Sequence, residues 1–481
     1  MQIYCHSESL RLVRAAALSI VLAVSGLAAF SAAASERAKV KIDTGTLVGI
    51  HDEAVRIFKG IPFAAPPVGE LRWMPPVRPA AWMGERDATK FSLPCPQPVN
   101  ADGTANGGGV SGMYDEDCLY LNVWAPANAE NAPRNLPVML WLYGGAGFLG
   151  AGHLGSYNGA AFARNGVIVV TINYRLGALG YFAHPALTKA AKADEPLANY
   201  ALMDAIAGLQ WVQRNITAFG GDPNNVTLFG QSAGGVMVIN LLSVPSAKGL
   251  FHKAIVQSGA FLQPGSKLAE AEQAGAQAMT ALGLPGAQTT LQQLRSIPAK
   301  TLVETEATRR GFGSAVDGRF RTASTVDALK AGTAIDVPLI IGSNNGEAGA
   351  DNARTVAVLA ASGAPSYLYQ FQYVPQWRKA QQPKGAPHSA ELVYVFDSWA
   401  TSAYGGPSVT PKDRQVSRRV NSCWVAFAKT TKPPTSLICA DGFQWPRYSQ
   451  QNDAIVLFGE MPQVGKAASI PKFEPPPRTS G

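Results

Sequence analysis

Two kinds of hydrophobic pattern organise this chain. Between residues 136 and 257, continuous apolar runs such as LPVMLWLY alternate with stretches of helical spacing, which predicts buried parallel strands joined by crossover helices. VPLIIGSN (337–344) is a further continuous run and reads as another strand of the same sheet. Residues 39–63 read instead as β-hairpins, and residues 75–115 as a Pro/Gly-rich loop region. Residues 268–330 are rich in Ala, Leu and Gln at helical period and are expected to cover one side of a cleft. Residues 366–459 return to strands and carry an amphipathic helix, VSRRVNSCWVAFAKT, over 416–430. The chain is therefore expected to be an α/β protein, a central mostly parallel β-sheet flanked by helices with β-hairpins at its N-terminal side. No internal repeat is present.

The ends of the chain read differently from this body. Arg11 and Arg14 precede an apolar stretch over 15–30, and Ala32-Ala33-Ala34 offers a small-residue cleavage site. The apolar length falls short of the ~20 residues that a membrane span needs, so residues 1–34 are expected to be a signal peptide rather than an anchor. The mature protein, residues 35–481, would be a single secreted or periplasmic domain. From about residue 470 four prolines predict an extended or disordered tail.

Composition narrows the function classes. With 47% hydrophobic and 15% charged residues in 481, a large core can be buried. The net charge of +8 is spread along the chain without a long basic run, which argues against a nucleic-acid partner. No C-x-x-C pair or histidine cluster suggests a metal, and no cofactor is expected.

The most specific local pattern is NVTLFGQSAGGVMV (225–238). A β-branched and aromatic run leads into Gly230-Gln231-Ser232-Ala233-Gly234, followed by small and apolar residues at helical spacing. A serine on a sharp strand-to-helix turn projects its hydroxyl above the sheet, and flanking glycines let the two elements approach. An ordinary Gly-rich turn would give the same five letters, but not the strand before and the helix after.

Serine needs a base to become nucleophilic at neutral pH, usually a histidine held by a carboxylate. In strand–turn–helix nucleophiles of this type the chain order is serine, acid, histidine. Of six histidines only His252 and His388 follow Ser232. His252 comes too soon, where the next strand begins. His388 lies in the loop GAPHSAELVYVF, which can carry an imidazole over a sheet edge. Nine carboxylates separate Ser232 from His388. Glu347 directly follows the strand 337–344, Asp351 comes four residues later, and Asp336 precedes the strand and faces the wrong end. Glu347 is the first candidate and Asp351 the second. LPVMLWLYGGAGFLGAG (136–152) supplies a strand running into a glycine loop, whose Gly144, Gly145 and Ala146 can present backbone N–H groups to an oxyanion, together with that of Ala233.

These segments, together with FKGIPFAAPPVGELRW (58–73), EDCLYLNVW (116–124), VIVVTINYRLGALGYF (167–182), FHKAIVQSGA (251–260) and GSNNGEAG (342–349), resemble type-B carboxylesterases of the α/β-hydrolase superfamily, the group of para-nitrobenzyl esterases, mammalian carboxylesterases and cholinesterases. They span nearly the whole mature chain in the family's order. The resemblance implies an α/β-hydrolase fold and hydrolysis of a small-molecule carboxylic ester through an acyl-enzyme. It implies Ser232 as nucleophile, Glu347 rather than Asp351 as acid, His388 as base, and Gly145, Ala146 and Ala233 as oxyanion donors. It also implies a disulfide between Cys95 and Cys118, which leaves Cys423 and Cys439 as the second pair. Some secreted bacterial relatives act on bulky polyesters such as the tricarballylic esters of fungal toxins, so that substrate class is an alternative. A non-catalytic or degenerate binding protein on the same fold is the other. A monomer or homodimer without a stable membrane anchor is expected.

Three departures from the family stand out. Gln231 replaces a glutamate in the elbow, and NNGEAG replaces the commoner N-x-D-E-G around the acid. The third is larger. Only 41 positions separate Glu347 from His388, fewer than is usual, and the shortfall lies before SYLYQFQYV. A reduced helical cap is expected, giving a more open cleft or one completed by another chain. Trp141, Tyr143 and Phe148 beside the glycine loop suggest aromatic lining of the site, with core packing the stronger expectation for Trp141.

Overall fold

Strands built from β-branched and aromatic residues with no polar face must be covered on both sides, and this requirement organises the molecule. A computed structural model describes residues 37–130, 135–261, 265–309, 311–360 and 363–471; the expected signal segment and nearly all of the proline-bearing tail lie outside the described residues. In chain order the strands are β1 (Arg37–Ile42), β2 (Gly45–Asp52), β3 (Val55–Pro62), β4 (Glu85–Asp87), β5 (Tyr120–Pro126), β6 (Leu136–Leu142), β7 (Ile168–Ile172), β8 (Gly221–Gln231) and β9 (Lys253–Gln257). They continue with β10 (Ser266–Lys267), β11 (Ala315–Val316), β12 (Leu339–Asn344), β13 (Ser366–Phe371), β14 (Ser436–Ile438), β15 (Gln444–Pro446), β16 (Ala454–Phe458) and β17 (Pro462–Lys466).

Thirteen strands form one sheet in the order β1-β2-β3-β5-β7-β6-β8-β9-β12-β13-β16-β17, with β4 beside β2. The stretch from β7 through β16 is parallel, while β1, β2, β3 and β5 add antiparallel strands on one side and β17 one on the other. Every residue of β7, β9, β12 and β13 is buried. This is the mostly parallel sheet that the apolar runs predict, with the expected hairpins at its N-terminal side. Two small sheets, β10-β11 and β14-β15, lie apart from it; strands of two and three residues are too short for a hydrophobic pattern to announce.

The helical reading of 268–330 holds for the helices Leu268–Ala281, Leu291–Ser296, Ala299–Glu304, Glu306–Arg309 and Thr325–Lys330, with β11 between them. The amphipathic helix begins earlier than its apolar stripe suggests, spanning Pro411–Lys429. Its start is set by chemistry rather than by hydrophobicity. Thr410 and Asp413 form a reciprocal capping box, and Pro411 supplies a preset φ in the first turn. Between Glu347 and β13 the described residues hold one helix, Ala350–Ala360, in keeping with a reduced cap.

Both disulfides are formed, Cys95 with Cys118 and Cys423 with Cys439. The second ties the helix Pro411–Lys429 to the residue after β14. Closing a loop of 16 residues restricts the unfolded chain by about 3 kcal/mol. Replacing Cys423 and Cys439 together by serine should therefore lower the urea-unfolding free energy by about 3 kcal/mol. The reference is the unsubstituted oxidised protein.

Candidate active site

The chain leaves β6 for β7 on one side and returns to β8 on the other, so the strand order reverses between β6 and β8. Connections at such a switch point diverge and leave a crevice beyond the C-terminal ends of the strands. Ser232 sits there, directly after β8, with φ 54° and ψ −124°. Its N–H donates to Gln257 O of β9 at 2.9 Å, and its carbonyl accepts from Val236 N at 2.9 Å in the helix Ala233–Leu241. A non-glycine residue in this conformation is strained, and neighbouring backbone must hold it. The glycines make that contact possible. A methyl on Gly234 would be driven into the carbonyl oxygens of Leu142 and Tyr143, and one on Gly230 would lie 2.6 Å from Gly234 C.

The loop after β6 abuts the same serine. A methyl on Gly144 would stand 2.9 Å from Ser232 Cβ. Gly145 (φ 122°) and Ala146 (φ 54°) turn the chain with positive φ, and the N–H groups of Phe148 and Leu149 fold back onto Gly145 O at 3.1 and 2.9 Å. The N–H groups of Gly145, Ala146 and Ala233 donate to no acceptor among the described residues. They are available to a ligand.

Strand ends further along the sheet deliver the other groups. Glu347 follows β12, and His388 lies on the connection after β13. His388 Nδ1 is hydrogen-bonded to Glu347 Oε2; the other carboxylate oxygen accepts from Asn344 N at 2.7 Å and from the Ser258 hydroxyl. That hydrogen bond to Glu347 raises the pKa of His388 above 6.5, against the opposing effect of burial. A second carboxylate lies behind the first. Glu391 is buried and accepts from Asn344 Nδ2 at 2.6 Å and Gln257 Nε2 at 3.2 Å, and its pKa is raised by burial and then by the charge of Glu347. At the far face of the imidazole, Gln231 Nε2 donates to Ser389 Oγ at 2.9 Å and stands 3.3 Å from His388 Nε2. His252, by contrast, starts β9 at the opposite end of the sheet, where its Nδ1 accepts from Val226 N at 3.2 Å. Asp351 falls in the first turn of the helix Ala350–Ala360.

The Carboxylesterase family matches residues 36–357 and 349–473 of this chain. The chain belongs to that family. Para-nitrobenzyl esterase of Bacillus subtilis is 33% identical over 487 residues, covering 87% of this chain and 94% of its own. Fumonisin B1 esterase of Sphingopyxis macrogoltabida is 32% identical over 499 residues, covering 89% and 87%. Among solved structures a PNB esterase superposes with a TM-score of 0.77 at 30% identity over 90% of this chain and 97% of its own. The protein is a carboxylesterase, a hydrolase of small ester substrates.

In this carboxylesterase Ser232, Ala233 and Ala146 share a cavity of about 310 Å³ with apolar walls from Tyr181, Val236 and Phe312. Phe261, also on its wall, is 53% exposed. Trp141 packs in the core as expected, whereas Tyr143 differs from the expectation of aromatic lining. Trp141 and Tyr143 are fully buried, Trp141 against Phe229 and Tyr143 stacked on Tyr174. Neighbourhood in sequence misleads here because residues two apart on an extended chain share a side, and the side that carries Trp141 and Tyr143 packs into the core. Ser258 and Glu391 escaped the sequence reading as well. The strand-then-SG pattern of QSGA repeats that of the elbow in miniature, and Ser258 also has positive φ (49°); Glu391 lies one turn past His388. The His388 side chain is 44% exposed. No helix among the described residues is long and apolar enough to cross a membrane. Among the same residues no group of three or more His, Cys, Asp or Glu could hold a metal ion.

The His388–Glu347 contact can be tested without substrate. NMR titration of the His388 imidazole should give a midpoint above 6.5, and Glu347→Gln should bring it down toward the ordinary histidine value. An unchanged midpoint in the variant would contradict the hydrogen bond.

Proposed function

We propose that this carboxylesterase works through an acyl-enzyme on Ser232, with His388 as general base and Glu347 as the carboxylate that orients the imidazole. The observation that carries the reading is the convergence at one switch point of a strained serine, a hydrogen-bonded His–Glu pair and three unengaged N–H groups. Ser232 Oγ would attack the ester carbon and His388 Nε2 would take its proton. The oxyanion would be met by the N–H groups of Gly145, Ala146 and Ala233. His388 would then protonate the departing alkoxide, and water would release the acid by the same route. His388 Nε2 stands 3.3 Å from the Gln231 amide nitrogen, and its hydrogen bond to Ser232 Oγ is expected to form with substrate in place. Such hydrogen bonds commonly tighten only with substrate in place.

The exposed imidazole and the one helix that the described residues hold between Glu347 and β13 favour substrates with a bulky alcohol portion, which can extend out of the cleft. The similarity to a fumonisin B1 esterase points the same way; polyesters of that bulk are the substrate class to try first after simple esters. The two disulfides suit an oxidising compartment, and with the apolar N-terminal stretch they support export to the periplasm or medium.

Ser232→Ala should reduce kcat/KM for para-nitrophenyl butyrate by at least about 10⁴-fold, and an organophosphate probe should label Ser232 alone. In the unsubstituted enzyme kcat/KM should rise with pH through a midpoint above 6.5, because His388 must be neutral to accept the proton. Full turnover by the alanine variant would dismiss the acyl-enzyme. A binding protein on the same fold would show no turnover in either form.

A further inference from the structure

The cavity beside Ser232 is apolar along its walls but not throughout. Asn240 and Ser314 also line it, and Asn240 lies near the far end of the helix that starts at the elbow, about two turns from Ser232. Asn240 Nδ2 donates to Ser314 Oγ at 2.9 Å, and Arg321 Nη1 donates to the same oxygen at 3.2 Å. A serine hydroxyl has two lone pairs and one proton. Both lone pairs of Ser314 are therefore engaged, and its proton is left to donate elsewhere, which makes it a fixed donor at the cavity wall.

Behind Ser314 stands an unusual charge. Arg321 is 1% exposed, yet apart from the Ser314 contact its guanidinium reaches only Thr325 Oγ1, at 3.4 Å, and its Nε has no partner among the described residues. Asp317 is the nearby carboxylate. Its oxygens accept from the backbone N–H groups of Leu197, Phe320 and Arg321 itself, not from the guanidinium. Burial pulls the pKa of Arg321 down to about 10, with Asp317 opposing, so the group is still cationic at neutral pH. A buried cation without a full set of hydrogen bonds is costly, and a ligand that supplies negative charge nearby relieves that cost.

We propose that the cavity beside Ser232 takes the acyl group and that its end distal to Ser232, formed by Asn240 and Ser314 and backed by Arg321, selects acyl groups that carry a terminal carboxylate, as in half-esters of short dicarboxylic acids. The terminal carboxylate accepts the Ser314 hydroxyl proton, Arg321 stabilises its charge through Ser314, and the apolar walls cover the methylenes. The inference rests on the acyl-enzyme at Ser232 and names the acyl group that enzyme takes.

The experiment compares two six-carbon acyl donors, para-nitrophenyl hydrogen adipate and para-nitrophenyl hexanoate, each corrected for the rate with Ser232→Ala. The readout is the adipate-to-hexanoate ratio of kcat/KM, which cancels changes common to both esters. The ratio should exceed one in the unsubstituted enzyme and fall by about tenfold or more in Ser314→Ala, as loss of a hydrogen bond to a charged group predicts. Arg321→Met should lower it similarly; should that variant fail to fold, Ser314→Ala, which removes one oxygen from a half-buried position, still decides the matter. A ratio that is the same in Ser314→Ala as in the unsubstituted enzyme, with hexanoate turned over normally by the latter, overturns the acyl selectivity alone. Absence of Ser232-dependent turnover of both esters overturns the acyl-enzyme reading, and the selectivity falls with it.

Discussion

Backbone packed directly on backbone at the crevice between β6 and β8 is the constraint on which the rest of the molecule depends. The helix Ala233–Leu241 starts so close to the ends of β6 and β9 that no side chain fits between them. A methyl on Gly259 would lie 2.5 Å from Gly235 Cα, and Gly230, Gly234 and Gly144 are equally confined. Only that closeness lets Ser232 keep a positive φ, because an unsupported turn would relax to a commoner conformation. The cost is met by a sheet whose central strands are buried on both faces.

Electrostatics around the imidazole follow from what surrounds it. Two carboxylates lie on the Glu347 side, one hydrogen-bonded to His388 and one buried behind, and the raised pKa of Glu391 reflects that crowding. Gln231 brings an amide rather than a third negative charge to the opposite side. It leaves Glu347 as the carboxylate in contact with the ring and gives Ser389 a hydrogen-bond donor. A neutral group here also spares the glycine loop after β6 a negative neighbour.

The parallel centre of the sheet and the elbow were legible in the sequence because both rest on strong local rules: unbroken apolar runs for buried strands, and glycines at fixed offsets around a serine. Glu347 and His388 could be ranked as candidates because strand ends limit where they can stand. What escaped the reading has a common cause. Ser258, Glu391 and the Asn240–Ser314–Arg321 group are brought together by packing between segments far apart in the chain, and apart from the elbow-like QSGA around Ser258 no local pattern marks them. The start of the helix Pro411–Lys429 was missed for another reason, since a capping box fixes it ahead of the first apolar turn.

The short interval between Glu347 and His388 has a consequence for how this scaffold can diversify. It opens at the end of β12 and returns through β13, and these two strands are hydrogen-bonded neighbours in register from Leu339↔Ser366 to Asn344↔Phe371. The excursion between them behaves as a cassette mounted on a rigid clasp. Material can be added to or trimmed from the helix Ala350–Ala360 while both anchor points stay fixed by the ladder. The length of this excursion is thereby uncoupled from the placement of Glu347 at the end of β12.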